Sequence, residues 1–369
     1  MMRVLHVIGA MDRGGAETMI MNLYRAIDRD VVQFDFVVHE ERPCDYDEEI
    51  QDLGGRLYRV PRFTGSNMLS YRRAFREFFG EHGEHRVVHG HIGSSAAMYL
   101  SEAKRAKRYT IAHSHAQNYP LSLEQLAFRV LSYPTRFIAD YYMACSSEAG
   151  RDRFGSRIVQ AENFKVLKNG IALEQYRCDQ AAHLACKKAY GYDVSVPLVG
   201  HVGRLDSVKN HRFLLEVFSL VKKEIPNARL VCVGRGPLAD DLEHAACELG
   251  IGESVDFLGV REDIPNLLKA FDAFVFPSFK EGLSIAVIEA QSSGLPVLAS
   301  MGVPEGAILV EDATRLPLSQ GAAAWASKCL SILDSACDRR DNVDEVRLQG
   351  FDIDDSARWL ERFYLSRQP

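Results

Sequence analysis

Two doubly wound α/β domains in tandem are predicted for this 369-residue chain, and three observations predict them. The length exceeds what one ordinary hydrophobic core serves, so two domains are the natural expectation. Short apolar runs alternate with longer helix-period stretches, the pattern of βαβ units on parallel sheets. That alternation breaks once, over polar, irregular sequence from Gln175 to about Val194, and then restarts.

In the first half the expected strands are Val4–Ile8, Phe34–Val38, Arg56–Arg59, Val87–His89, Thr110–His113, Tyr142–Cys145 and Phe164–Leu167. Helical patterns lie between them, for example Ala16–Ile27 and Tyr71–Phe79. In the second half the expected strands are Leu198–Val202, Arg229–Val233, Val255–Phe257, Ala273–Val275 and Val297–Ala299. These runs set the expected domains at 1–185 and 186–350, with 351–369 as a closing helix packing back on the first domain.

Composition narrows the function classes. A hydrophobic fraction of 47% and a charged fraction of 25% are those of a soluble globular protein. A net charge of -6 argues against nucleic-acid binding. The eight cysteines form no C-x-x-C pair, which fits reduced cytosolic thiols better than disulfides or zinc. The N-terminus reads as a first strand and not as a signal peptide. No stretch approaches the roughly 20 apolar residues of a membrane span. A cytoplasmic protein that meets a membrane only from its surface is expected.

Four clusters could carry chemistry. In Pro277-Ser278-Phe279-Lys280-Glu281-Gly282-Leu283-Ser284, a turn follows a strand and opens a helix that includes Glu289. Unpaired N–H groups and dipole at such a helix start suit a phosphate. With Glu281 on the turn, both glutamates can border one cleft; spacing alone fits a solvated turn residue and a helix-face cap equally well. Arg204 and Lys209, in the loop after Leu198–Val202, are a suitable pair for a diphosphate and could replace a divalent metal. A solvated basic loop is the plainer alternative. Gly14-Gly15 after the first strand, and Gly234-Arg235-Gly236 in the second half, would let a ligand approach the backbone. Neither is the Gly-x-Gly-x-x-Gly of dinucleotide binding. His89, His91, His113 and His115 fall at strand ends, with no carboxylate or cysteine nearby to complete a metal site. No metal is expected there. Asp45-Tyr46-Asp47 imitates an Asp-x-Asp metal motif but sits in an acidic loop, and a solvated face is the expected reading.

Together these clusters resemble family 4 glycosyltransferases of GT-B architecture, retaining enzymes with two Rossmann-like domains facing across a cleft. The resemblance rests on Gly14-Gly15-Ala16-Glu17, Asn169-Gly170-Ile171, Gly203-Arg204-Leu205 with Lys209-Asn210, and Glu281-x7-Glu289 followed by Gly294-Leu295-Pro296-Val297. It implies a UDP-sugar as donor substrate, no cofactor, and a lipid-linked or free sugar as acceptor. It implies that Arg204 and Lys209 hold the donor diphosphate, that Glu281 bonds the donor sugar and that Glu289 bonds the ribose. Backbone at Gly282, Leu283 and Ser284 would cradle the distal phosphate, Arg261 and Ile264 would border the base, and Gly15 and Gly234 would line the donor. His115 would sit by the reacting sugar, with His91 and His113 toward the acceptor. Ala172, Arg235 and the Met301–Glu305 stretch depart from the family pattern and bear on which sugar is donated. The subgroup resembles capsular and exopolysaccharide transferases, which implies work at the inner membrane face. Basic residues in Tyr71–Arg76 and Tyr99–Tyr109 are candidates for contact with anionic lipid. Two other readings are a nucleotide-sugar epimerase of the same fold and an inactive scaffold.

Overall fold

The protein is described by a computed structural model over residues 1–115, 123–335 and 339–367, with backbone alone at 123–125. It forms two compact units, Met1–Gly170 with Asp352–Pro369, and Ile171–Phe351.

The first unit holds seven strands: β1 (Met2–Val7), β2 (Val32–Val38), β3 (Leu57–Arg59), β4 (Val87–Gly90), β5 (Tyr109–Ser114), β6 (Tyr141–Ala144) and β7 (Phe164–Val166). They make one parallel sheet in the order β3-β2-β1-β4-β5-β6-β7. The second unit holds β8 (Leu198–Val202), β9 (Arg229–Val233), β10 (Val255–Phe257), β11 (Ala273–Phe276), β12 (Val297–Ser300) and β13 (Ala313–Leu316). Its sheet is also parallel, in the order β10-β9-β8-β11-β12-β13. Each order reverses once, between β1 and β4 and between β8 and β11. At such a switch point successive connections leave on opposite faces and open a crevice at the carboxyl ends of the strands.

Both faces of the second sheet are covered, and the strands show why. Leu198, Val231, Phe274, Phe276 and Val297 point into one buried cluster, while Val199, Leu230, Cys232, Val275 and Leu298 point into the other. Strand period 2 thus reads as a continuous apolar run, the mark of a buried parallel strand. In the first unit, Tyr71, Phe75, Phe78 and Phe79 of the helix Met68–Glu81 pack on Leu5, Val7, Val37 and Val88.

Three expectations need correction. β13 was not anticipated: Ala313-Thr314-Arg315-Leu316 is a half-buried edge strand and offers no apolar run. The Gln175–Val194 stretch is not irregular, since it contains the helix Gln180–Ala189, capped where Asp179 accepts a bond from Ala182 N–H. That helix buries polar groups instead of an apolar stripe. Lys187 Nζ meets Asp272 at 2.7 Å, and His183 Nδ1 lies 2.7 Å from the Lys269 carbonyl. The expected boundary at 185/186 cuts this helix, and the units divide instead at Gly170/Ile171. The closing helix Ile353–Leu365 packs on the first unit through buried Ile353, Leu360, Phe363 and Tyr364. Among the described residues no helix is long and apolar enough to cross a membrane.

Candidate active site

In the second unit the expected donor residues gather at the carboxyl edge of the sheet. Arg204 and Lys209 follow β8, Gly234 follows β9, Arg261 and Ile264 follow β10, and Glu281 to Ser284 follow β11. β8 and β11 are the strands that flank the switch point.

Local chemistry shapes each loop. Asp206 Oδ1 accepts bonds from the Val208 and Lys209 N–H groups, which winds a short turn. Asn210 then takes the left-handed conformation, φ 57°, and its Nδ2 donates to the Pro277 carbonyl at 3.2 Å. Across the switch point, Phe279 N–H donates to the Val208 carbonyl at 2.8 Å and Glu281 N–H to the Gly302 carbonyl at 2.9 Å. The result is a direct ion pair, Lys209 Nζ to Glu281 Oε1 at 2.7 Å, largely sheltered from solvent. Ser278 Oγ lies against both Glu281 Oε1 and the Val208 carbonyl, and can donate to one at a time. Arg204 is 72% exposed along its side chain, with Asp206 at 3.7 Å its one ion-pair partner among the described residues. One cation is therefore already paired and the other is presented to solvent.

Glu281 stands on the turn and Glu289 within the helix Ile285–Ser292. Tyr176 Oη donates to Glu289 Oε1 at 2.6 Å. Burial pushes the Glu289 carboxyl above its ordinary range, and the tyrosine bond pulls it partly back. Gly282 is exposed, Leu283 partly buried and Ser284 buried at the helix start. Gly234 has φ 138°, and an added Cβ would fall 2.0 Å from the Gly203 carbonyl oxygen. Its glycine is thus needed for the close approach of two backbones. Arg261 is bidentate to Asp263 at 2.8 and 2.6 Å, and Tyr190 Oη donates to the same carboxylate.

In the first unit, five histidines converge at the switch point. His6 on β1 is in register with His89 on β4, and joins the four expected ones. His6 Nδ1 and His91 Nε2 are 2.9 Å apart, and His91 Nδ1 and His115 Nε2 are 2.7 Å apart. A second run links Tyr364 Oη to His89 Nδ1 at 2.6 Å, and His89 Nε2 to His113 Nδ1 at 3.1 Å. Burial lowers every one of these imidazoles, His6 to about 3 and His115 to about 4, with mutual proximity or the Arg153 charge adding to it. All five are neutral at pH 7. His6, His89 and His91, and again His91, His113 and His115, bring ring nitrogens within 4.8 Å of one another. Most of those nitrogens are occupied by bonds to the neighbouring ring.

Gly15 opens the helix Gly15–Ala26 with open space where a Cβ would stand. Of the acidic loop, Asp45 is exposed as expected, its carboxylate accepting from Arg13 N–H, whereas Asp47 is buried and pairs with Arg59. The basic segments are likewise engaged. Arg72, Arg76 and Arg105 all pair with buried Glu102, and Lys104 pairs with Asp140.

Sequence reasoning missed His6, Tyr176, Ser278 and Tyr364. His6 alone left a trace, as a polar residue in an otherwise apolar strand. Tyr176 and Tyr364 act across distances in the chain that no local pattern records, whereas Ser278 meets Glu281 three residues on, inside a cluster in which it was given no role.

Two family patterns match this chain, "Glycosyl transferase 4-like domain" over residues 14–170 and "Glycosyl transferases group 1" over residues 196–335. EpsF of Bacillus subtilis, a protein named for its assignment to the glycosyltransferases, is 37% identical over 98% of this chain and 96% of its own length. An Escherichia coli UDP-Gal:alpha-D-GlcNAc-diphosphoundecaprenol alpha-1,3-galactosyltransferase is 34% identical over 38% of each chain. Among solved structures, Anabaena Alr3699/HepE in complex with UDP superposes with a TM-score of 0.79 at 19% identity, covering 99% of this chain and 100% of that one. The chain belongs to glycosyltransferase family 4, and its two Rossmann-like sheets are those of the GT-B fold.

Proposed function

We propose that this transferase moves a hexose or N-acetylhexosamine from a UDP-sugar to a hydroxyl of a lipid-linked sugar, with retention and without a metal. The observation that carries the reading is the Lys209–Glu281 pair at the switch point of the second sheet, with Arg204 exposed beside it. Donor binding exchanges that pair for two others: Lys209 with the diphosphate, and Glu281 with a sugar hydroxyl. Arg204 closes on the diphosphate as a planar fork. Glu289, oriented by Tyr176, takes the ribose. As the bond from the anomeric carbon to the diphosphate breaks, the acceptor oxygen bonds to that carbon and the departing phosphate takes its proton. Positioned cations stabilise the negative charge that develops, and this supplies most of the rate.

UDP is favoured as the nucleotide because the Escherichia coli relative is named for UDP-Gal and the Anabaena neighbour was solved with UDP. The acceptor class follows the diphosphoundecaprenol in that relative's name. A membrane surface suits Leu126, Val130, Tyr133 and Phe137, which are 54%, 65%, 53% and 76% exposed beside Arg129 and Arg136. UDP should raise the melting temperature, because it binds only the folded state. Turnover of UDP-sugars on polyprenyl-diphosphate sugars should survive EDTA. GDP or ADP binding tenfold tighter than UDP, or activity lost to EDTA and restored by Mn²⁺, overturns the corresponding part.

A further inference from the structure

The first sheet carries a cavity at its carboxyl edge, on the face opposite the five histidines. Leu5, Val7, Val37 and Val88 pack with Tyr71 and Phe75, so the alternate residues His6 and His89 point to the other face. Pairing of β1 with β2 continues beyond their ends, and His39 N–H donates to the Gly9 carbonyl at 2.9 Å. Alternation sets Gly9 and His39 on the face of Val7 and Val37, and the His39 ring does lie against Tyr71 and Phe75. Gly9, His39, Arg62 and Ser94, in the segments after β1, β2, β3 and β4, border about 300 Å³ of space. Ligands of doubly wound sheets bind at this edge, and the volume is that of a small-molecule site.

The wall is preformed, and the space in front of it is kept open. His39 Nδ1 lies 2.8 Å from the Val60 carbonyl and Nε2 3.0 Å from Tyr71 Oη, so the fold uses both ring nitrogens. Gly9 has no left-handed backbone, and a Cβ added there would meet nothing within 4 Å among the described residues. Neither a strained turn nor a close approach demands glycine at that position. A side chain on it would occupy the cavity.

Charge and polarity select the ligand. Around this edge Arg42 pairs with Asp12, and Arg59 with Asp47. Glu40, Arg62 and Ser94, which all border the cavity, have no side-chain hydrogen bond or ion pair among the described residues. One anion and one cation cancel, so the lining offers a phosphate or carboxylate no net positive charge. A carboxylate only accepts hydrogen bonds, and a ligand must bring protons to satisfy Glu40. A sugar ring has a proton on each hydroxyl, oxygens for Arg62 and Ser94, and an apolar C–H face for Phe63, which borders the same space.

We propose that this cavity is a subsite for the sugar ring of the acceptor substrate, with Glu40 taking a hydrogen bond from one of its hydroxyls. The proposal rests on the transferase reading for the sugar's role as acceptor. The preference for a neutral ring over an anion rests on the lining alone.

The test uses the full chain. With a polyprenyl-diphosphate sugar as acceptor, Gly9→Val should raise the acceptor KM at least about tenfold, because ligand and side chain compete for one space. Glu40→Ala should raise it about tenfold, the size of one hydrogen bond to a charged group. The donor KM and UDP binding should stay as in wild type in both. A second measurement needs no turnover. In chain labelled with ¹⁵N-histidine, His39→Gln identifies the His39 signals by their loss. Of glucose, galactose and N-acetylglucosamine, titrated separately, at least one should move those signals in wild type and none should in Gly9→Val. Inorganic phosphate should move them in neither. An unchanged acceptor KM in Gly9→Val or Glu40→Ala overturns the proposal, and so does a raised donor KM in its place. Signals that no sugar moves, or that phosphate moves, overturn it too. If Gly9→Val fails to fold, Glu40→Ala and the wild-type titrations decide. Absence of UDP binding and turnover in wild type would count against the transferase reading, while the sugar titration would stand apart from it.

Discussion

The two sheets share a topology and differ in what they place at the switch point. The first offers five neutral imidazoles and a phenol, linked ring to ring and sheltered from water. The second offers Arg204, Lys209 and Glu281, charged groups of which one pair is already formed. Neutral donors and acceptors suit sugar hydroxyls, which carry no charge before or after transfer. Fixed cations suit a diphosphate, whose charge grows as it departs. One fold thus supplies two chemistries, because the strands position the site and the loops supply its charge.

The largest effect should come from removing charge at the second edge. Lys209→Ala leaves Glu281 without its cation and, under the proposed function, the donor diphosphate without neutralisation, and should lower kcat/KM by about a thousandfold. Steady-state kinetics at saturating acceptor measure it, and a loss under tenfold would mean that Lys209 only ties the loop. Glu281→Gln keeps size and removes charge, and should lower kcat about a hundredfold while the donor KM changes little. Wild-type kcat in that variant would reduce Glu281 to a turn residue.

The neutral edge makes a different prediction, in stability. Unfolded histidines take up a proton near pH 6.5, while folded His6 does so only at about 3 and His115 at about 4. Between those values the unfolded chain binds more protons, so stability is full above pH 6.5 and falls as pH drops toward 4. Each such group removes about 1.4 kcal/mol per pH unit in that window. The second unit holds His201 and His211 with the same direction of shift, so the first unit should be the more acid-sensitive. Hydrogen exchange compared between β1 and β8 peptides at pH 7.5 and pH 5 would show it. Equal loss of protection in both would break the contrast.

The smallest effect should be Tyr176→Phe. It removes one bond to Glu289 and should raise the donor KM about threefold to tenfold with kcat unchanged, as expected for a group that serves binding alike in ground and transition states. A fall in kcat instead would place Glu289 nearer the reacting bond.

How much of this was legible in the chain depended on the range of the interaction. Twelve of the thirteen strands were legible: the central ones from apolar runs, because a strand buried on both faces is largely apolar, and the edge strands β3, β7 and β10 from short apolar or aromatic residues beside turn signals. β13, also at an edge, escaped because Ala313-Thr314-Arg315-Leu316 offers neither. The helix Gln180–Ala189 escaped because it buries Lys187 and His183 against Asp272 and a carbonyl, and polar burial leaves no period to read. Glu281 and Glu289, Arg204 and Lys209 were legible as candidates from their place beside glycine and proline turns after strands. Their pairing was not: Lys209 with Glu281, and not Lys209 open to a ligand, depends on which two strands become neighbours.

Sequence by itself determined the α/β alternation, the two sheets and the loops that carry the charged residues, since periodicity and turn chemistry act over a few residues at a time. Only the tertiary structure decided that His6 joins His89, that Tyr176 reaches Glu289 and that Tyr364 returns from the last helix to His89. It also decided that Arg72, Arg76 and Arg105 pair with buried Glu102. The physical reason is common to all of them. A buried polar group must find its partner wherever the packed fold brings one, and that partner's place in the chain is set by strand order and not by local pattern.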